Sequence, residues 1–216
     1  MRDLYPGYDV LAKRHTPSWN EQTREVIDRR LTIARSDHRF FTEEEWATLC
    51  AICERIVPQR AEKQGFVPVA ALVDNKLHTD DREGYRDAHL PKMQEAWRRG
   101  IAALNDEAQA RCGAPFHELA GAEQDELLSA AACGELKCAG WKGMPSDAFF
   151  HRRVLSDVVS AYYSHPTAWN EIGWGGPASP RGYVRMDFNR RDAWEAAEAY
   201  PGHEEQARQE NLRAGR

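Results

Sequence analysis

The chain has 216 residues, of which 42% are hydrophobic and 29% are charged, a composition typical of a globular protein rather than of a disordered or fibrous one. Its formal net charge is −5, and the basic residues are scattered among acidic ones, so no basic face indicates nucleic-acid binding. No apolar run approaches the roughly 18 residues of a membrane span, so we expect no direct membrane span.

The N-terminal sequence MRDLYPGYDVLAKRH lacks the apolar run and the small-residue cleavage site of a secretory signal. Arg29 and Arg30 form a poor twin-arginine signal, because the segment that follows them is charged. We therefore expect a cytoplasmic chain, which would be periplasmic or membrane-associated only after export with a partner or removal of a signal. Its five cysteines make an odd number, which favours free thiols over a disulfide framework.

Helical signals dominate, beginning in a charged N-terminal arm. Ser18 and Glu21 have the spacing of a capping box, which predicts that Ser18 caps a first helix. A clearer capping box follows at Thr42 and Glu45, where Phe41 is predicted to pack on Trp46 as a hydrophobic staple. The apolar residues of the first helix would be Val26, Ile27, Leu31 and Ile33; those of the second would be Trp46, Leu49, Cys50, Cys53, Ile56 and Val57, before Pro58.

The middle of the chain predicts three further helices. Pro68 should open a short one, and a long one should run from about Pro91 to Cys112, with Gly113 as its stop. After Phe116 and Leu119, another helix should span Gln124 to Cys133. The inward residues would be Val69, Leu72, Val73 and Leu77 in the first of these helices, and Met93, Trp97, Ile101 and Leu104 in the second.

A helix capped by Ser146 should run from Asp147 to about Tyr163, where the pair His165-Pro166 stops it, because the residue before a proline is disfavoured in the helical region. Its inner face would use Phe149, Phe150, Val154, Leu155, Val158, Val159 and Tyr162.

The C-terminal region predicts a last helix from Asn189 through Trp194 to Ala199, followed by a polar segment that we expect to be mobile. Residues 182–186 are the one candidate strand. We therefore predict an all-α protein, an irregular helical bundle of six to eight helices with a long Gly/Pro/Trp-containing loop near the C-terminus. The predicted organisation is an N-terminal helical arm (1–39), a helical domain (40–188), and a C-terminal helix with a polar tail (189–216).

Motifs that carry catalysis or metal binding are missing. Cys50 and Cys53 have redox spacing, but both fall on the apolar face of a predicted helix, where buried structural cysteines are the better interpretation. No histidine pair has metal-ligand spacing, and no histidine follows a glutamate by three residues. We therefore assign no catalytic, cofactor-binding or metal-binding residue.

The segment 169–185, WNEIGWGGPASPRGYVR, combines glycines with aromatic residues. It has neither the P-loop nor the dinucleotide-binding pattern, so its glycines are expected to supply positive φ angles and close backbone approach. Its aromatic side chains either plug the end of the helical core or anchor another protein. The candidate partner-binding residues are Trp169, Asn170, Trp174 and Tyr183.

Four segments together show a resemblance to a known family: FFTEEEWATLCAICERIVPQ (40–59), FHELAGAEQDELLSA (116–130), FFHRRVLSDVVSAYYSHP (149–166) and WNEIGWGGP (169–177). Their order and spacing over residues 40–188 resemble the gluconate 2-dehydrogenase subunit 3 family, the small or gamma subunits of flavoprotein sugar and alcohol dehydrogenase complexes.

The resemblance implies a non-catalytic accessory subunit that binds a large FAD-containing subunit of the glucose-methanol-choline oxidoreductase class. In such complexes the flavin subunit oxidises a sugar, sugar acid or polyol, and a cytochrome subunit can take the electrons onward. FAD is thus expected in the partner and no cofactor in this chain. Many members carry a twin-arginine signal that this sequence does not match, so the resemblance supports assembly rather than export. The alternatives are a helical enzyme with a dispersed metal site and a helical scaffold for another protein.

Overall fold

The computed structural model of the chain describes residues 3–59, 65–81, 87–177 and 195–214. Within those residues it contains eight helices and no β-strand, which confirms the predicted all-α helical bundle. Two compact units are formed. The terminal unit comprises Met1–Thr32 and Tyr163–Arg216, and the central unit comprises Ile33–Tyr162.

Helix α6 is continuous but not uniform: Ser146–Phe149 is α-helical, Phe150–Leu155 is π-helical and Ser156–Tyr163 is α-helical. Short 3-10 segments occupy Val10–Lys13, Phe116–Glu118 and Ala139–Trp141. The other helices are α1 (Glu21–Leu31), α2 (Glu43–Ile56), α3 (Val69–His78), α4 (Met93–Cys112), α5 (Gly121–Ala132), α7 (Pro166–Ile172) and α8 (Glu204–Arg213).

The start of α2 is held by a local cap and by a buried carboxylate from α3. The predicted capping box is confirmed: Glu45 N–H donates to Thr42 Oγ1 at 3.3 Å, and Thr42 N–H donates to Glu45 Oε2 at 3.0 Å. Just before it, the carboxylate of buried Asp74 accepts hydrogen bonds from the backbone N–H groups of residues 39, 40 and 41, at 2.7 to 3.2 Å. The three backbone N–H groups of this turn, which lies outside any helix, therefore all have hydrogen-bond partners.

Buried Trp97 of α4 lies at the centre of the core. Its ring makes edge contacts with Phe41 and Phe149, and its Nε1–H donates to Asp157 Oδ2 at 2.7 Å. Lys76 of α3 donates to the other oxygen of Asp157 at 2.9 Å. The carboxylate of Asp157 thus joins α3, α4 and α6, and both its charge and its oxygens are matched in the interior.

A glycine in the middle of α4 permits the close approach of α6. A Cβ atom on Gly100 would lie 2.1 to 2.5 Å from ring atoms of Phe149. Glycine costs an exposed helix about 1 kcal/mol relative to alanine, and here it makes room for an aromatic ring that also contacts Trp97 and Trp141.

Most predicted helices of the central unit are confirmed. Pro68 is the N-cap of α3, and α4 ends at Gly113 as expected. The predicted partner of Trp46 was Phe41, but the ring stacked on Trp46 is that of His38, with the two ring centroids 4.7 Å apart. Residues buried as predicted include Leu49, Cys53, Val69, Leu72, Val73, Leu77, Trp97, Ile101 and Leu104.

Two predicted N-caps are wrong. Asn20 caps α1, because its extended backbone lets its side chain accept the N–H of Thr23 at 2.8 Å. Ser18 Oγ is buried without a hydrogen-bond partner in the described residues. Ser146 is the first helical residue of α6 and follows Pro145 as the cap position. Of the apolar residues predicted for the first helix, Ile27 is buried, whereas Leu31 is exposed.

The predicted inner face of α6 is correct at Phe149 and Val154 and wrong at Leu155, whose side chain is 37% exposed. Val158 and Tyr162, which follow the π-helical stretch Phe150–Leu155, are also buried as predicted.

The C-terminal prediction is also wrong in part. Residues 195–199 are not helical, and residues 189–194 lie outside the described part, as does the candidate strand 182–186. The segment predicted to be a mobile polar tail instead contains α8, which buries Ala207 and Asn211. The first part of the predicted loop 169–185 is helical, because α7 extends to Ile172.

We expect Asp74→Asn to reduce the free energy of unfolding by about 2–3 kcal/mol, because an amide cannot accept hydrogen bonds through both terminal atoms and buried N–H groups lose their partners. Urea unfolding followed by circular dichroism measures the change. Asp81→Asn, at an exposed position just after α3, is the matched control. Equal stability of the two variants would contradict this account of the α2 start.

Candidate functional site

The glycine- and tryptophan-containing segment after α6 belongs to the terminal unit, where Trp169 forms the centre of a small core. The Trp169 side chain is 1% exposed, and its ring meets that of Trp19 edge-on, with centroids 6.4 Å apart. Its Nε1–H donates to the Tyr163 carbonyl at 2.6 Å. The surrounding buried residues are Tyr8, Val10, Trp19, Ile27 and Ala214.

The orientation of Trp169 is set by the start of α7. Pro166 occupies the first helical turn, and Nδ1 of His165 accepts the N–H of Thr167 at 3.3 Å as the N-cap. Burial, and secondly the charge of Arg30, lower the pKa of His165 below its ordinary value of 6.5. The neutral imidazole is therefore the form that the folded terminal unit favours, and only that form keeps Nδ1 as an acceptor.

Asn170, the next residue of α7, binds the N-terminal arm. Its Oδ1 accepts the N–H of Val10 at 2.8 Å, at the start of the 3-10 segment Val10–Lys13. A hydrogen bond between residues 160 positions apart fixes the arm onto α7, so Asn170 has a structural role within the terminal unit.

The backbone after α7 lies close to the rings of Trp19 and Trp169. Buried Lys13 donates from Nζ to the carbonyl of Gly175 at 2.7 Å. Gly176 has a φ of +75°, and a Cβ atom there would lie 3.0 Å from Trp19 and 3.3 Å from Trp169. Close approach to two indole rings therefore accounts for this glycine, in agreement with the expectation that the segment's glycines serve the backbone.

Trp174 has the opposite environment to Trp169. Its side chain is 43% exposed, while its ring rests edge-on against Trp169 at a centroid distance of 4.8 Å. Part of the indole is thus supported by a buried ring, and part of it is open to solvent.

The two alternatives for the segment are divided between its tryptophans. Trp169 occupies the core-plugging position, and Trp174 retains the accessible surface that a partner would need. Asn170 is half-buried and engaged with the arm, and Tyr183 lies outside the described residues. Partner binding through Trp174 stays a prediction.

Lys13 was not singled out by sequence reasoning, although its contact shapes the segment. A single lysine in a charged arm gives no signal of burial, because lysine is almost never fully buried in proteins. The 162 positions between Lys13 and Gly175 also leave no local pattern to read.

The cysteines have the environment expected of structural thiols. Cys50 and Cys53 are free and lie on α2, with Cys53 fully buried. Burial raises the pKa of Cys50 to about 11, and it raises the pKa of Cys53 further. Both side chains are therefore neutral thiols at physiological pH, the opposite of an activated redox pair.

The same two thiols line a cavity of about 1000 Å³ in the central unit. At its rim the Arg35 guanidinium lies 4.3 Å from the centre of the Phe66 ring, and the Gln59 amide exchanges two hydrogen bonds with the backbone of Val67. The described lining thus combines neutral thiols with paired polar groups. No cluster of three or more His, Cys, Asp or Glu side chains able to hold a metal ion occurs in the described part of the chain.

We expect Trp169→Ala to destabilise the isolated protein by about 3–5 kcal/mol, the usual cost of removing a buried tryptophan. Trp174→Ala should cost much less, because half of that side chain already contacts water. Thermal unfolding of the two variants beside wild type measures the difference. A large stability loss in the Trp174 variant would show that its ring plugs the core.

The terminal unit should lose stability as the pH falls from 7 to 5. The unfolded chain binds a proton at His165 below pH 6.5, whereas the folded chain, with its lowered pKa, does not. His165→Asn keeps an N-cap acceptor that does not titrate, so its unfolding free energy should change less over this range. Identical pH dependence of wild type and variant, measured by urea unfolding at each pH, would contradict the assignment.

Comparison with known proteins confirms the family resemblance. A family model described as gluconate 2-dehydrogenase subunit 3 matches residues 43–176, which is more than half of the chain. No curated protein and no solved structure matches this chain. Among the described residues, no helix is long and apolar enough to cross a membrane. The family name denotes a subunit of a dehydrogenase complex, and this chain belongs to the gluconate 2-dehydrogenase subunit 3 family.

Proposed function

We propose that the chain is a non-catalytic small subunit that binds and stabilises an FAD-dependent dehydrogenase of the glucose-methanol-choline class. The partner would oxidise a sugar, sugar acid or polyol and would pass its electrons to a cytochrome subunit where the complex contains one. The observation that carries this proposal is the family match over residues 43–176, since the family name itself denotes a dehydrogenase subunit.

The chemistry of the described residues supports an accessory role. The cavity of the central unit is lined by thiols whose pKa values are raised by burial. Buried Asp74 and Asp157 are saturated by hydrogen bonds that hold helices and turns together. These groups stabilise the fold, and a side chain fully engaged in the fold is poorly placed to act as a general base.

Trp174 supplies a suitable anchor for a partner. Tryptophan is enriched among the residues that dominate interface energies, because its ring buries a large area at a small cost in side-chain entropy. Trp174 rests on the ring of Trp169, and the Lys13 hydrogen bond holds the next residue of the backbone. A side chain that is positioned before binding loses less freedom on binding.

The test is co-expression with an FAD-containing dehydrogenase of the glucose-methanol-choline class from the same organism. We expect the two proteins to co-purify in a fixed ratio, and the yield of soluble, flavin-loaded dehydrogenase to fall when the chain is omitted. Recovery of both proteins in soluble form, with no association between them, would contradict the proposal.

Trp174→Ala should weaken the association by about 2 kcal/mol or more, which is typical of an interface anchor. Leu155→Ala is the matched control, because Leu155 is a similarly exposed apolar residue of the central unit. The dissociation constants of the two variants, measured against the same purified dehydrogenase, give the comparison. Equal weakening by both substitutions, or by neither, would show that Trp174 is not the anchor.

A further inference from the structure

Large apolar side chains are exposed mainly in the terminal unit. Of nine such residues among those described, seven belong to the terminal unit, although it supplies only about a third of the described residues. Globular proteins rarely expose concentrations of apolar surface unless that surface binds something. The seven residues are Leu4, Leu31, Tyr163, Ile172, Trp174, Tyr200 and Leu212.

Three of these residues, Leu4, Tyr200 and Leu212, lie on segments that contact one another, and we call them the terminal surface. The carbonyl of Leu4 accepts the N–H of Ala199, the neighbour of Tyr200, at 2.8 Å. Gly7 packs so closely on α8 that a Cβ atom there would lie 3.4 Å from Leu212 Cγ. Residues 4–7 therefore run between the segment that carries Tyr200 and the helix that carries Leu212.

Asn211 holds this arrangement rigid. Its side chain is buried, accepts the N–H of Ala197 at 2.6 Å, and donates to the carbonyls of Ala197 and Pro6 at 3.0 Å each. The side-chain amide of Asn211 thus joins the N-terminal segment to the segment that contains Ala197. The adjacent apolar side chains are displayed from a preformed support, which lowers the entropy cost of binding.

The segments that carry the terminal surface are acidic in sequence. Residues 195–214 contain five glutamates and two arginines, and Asp3 precedes Leu4 on the arm. Apolar side chains on acidic segments are complementary to a face that combines apolar residues with lysine and arginine. A second copy of this chain would present the same acidic segments, so self-association through this surface is electrostatically disfavoured.

The position of the terminal surface relative to the family match indicates what it does. The match covers residues 43–176, whereas Leu4, Tyr200 and Leu212 all lie outside it. The terminal surface is thus formed by residues on either side of the family-matched part of the sequence. A subunit that must select one dehydrogenase among similar ones needs contacts beyond the shared part.

We propose that the terminal surface binds the dehydrogenase subunit through a face that combines apolar residues with lysine and arginine, and that this contact selects the partner. The inference rests on the proposed function, because it takes the occupant to be that subunit. It goes beyond it by assigning selection of the partner to the terminal surface, in addition to the Trp174 anchor of the family-matched part.

The experiment measures binding of the purified full chain to a purified FAD-containing dehydrogenase of the glucose-methanol-choline class from the same organism. Tyr200→Asp, at a side chain 58% exposed, and Leu212→Asp should each raise the dissociation constant at least tenfold, whereas Leu155→Asp in the central unit should leave it unchanged. Circular dichroism checks that each variant is folded.

Reversing the charge of one glutamate tests the contribution of the acidic segment and leaves the apolar side chains of the terminal surface unchanged. Glu210 is exposed and lies near the C-terminus of α8, where a lysine suits the helix dipole, so Glu210→Lys should fold normally. We expect it to slow association, and we expect the wild-type association rate to fall as salt is raised while the rate of the Glu210 variant falls less.

The outcomes separate the two proposals. Failure of the wild-type chain to bind the dehydrogenase would overturn the proposed function itself. Wild-type binding that Tyr200→Asp, Leu212→Asp and Glu210→Lys leave intact would overturn the terminal surface alone. Light scattering that shows a wild-type dimer and monomeric variants, with unchanged binding of the dehydrogenase, would assign the surface to a second copy and also overturn the inference.

Discussion

The carboxylate of Asp74 is the constraint on which the central unit depends. It pairs three consecutive backbone N–H groups that no helix could satisfy, just before the Thr42 cap starts α2. Arg98 of α4 donates to the carbonyl of Phe40 in the same turn and to Glu45 of the cap. These contacts join α2, α3 and α4 at one corner, and Trp97 packs beside it on Phe41.

A feature could be predicted from the sequence where the residues that determine it lie close together along the chain. The Thr42 cap and the apolar spacing of α2 and α4 are encoded within a few residues, and the structure confirms them. Leu155 is exposed although Val154 and Val158 of the same predicted face are buried, a difference that apolar spacing does not predict. Helix α8 has a polar sequence, and its buried Asn211 pairs with residues 14 and 205 positions away.

The candidate site shows the same division. The prediction that its glycines supply positive φ angles is confirmed for Gly173 and Gly176, and Gly182 lies outside the described residues. Which tryptophan would be buried was undecidable locally, since Trp169 is covered by Trp19 and the following loop is held by Lys13. The result is a terminal unit whose core holds the indoles of Trp19 and Trp169 and supports the partly exposed indole of Trp174.

The most direct test of the account is sedimentation velocity of the purified FAD-containing dehydrogenase, followed at the absorbance of its bound flavin, with increasing amounts of this chain. Because the chain is proposed to bind no flavin, only association can change the flavin signal. The account predicts a faster flavin boundary that stops shifting once a fixed stoichiometric ratio is reached. A flavin boundary that stays in place at a large excess of the chain would contradict it.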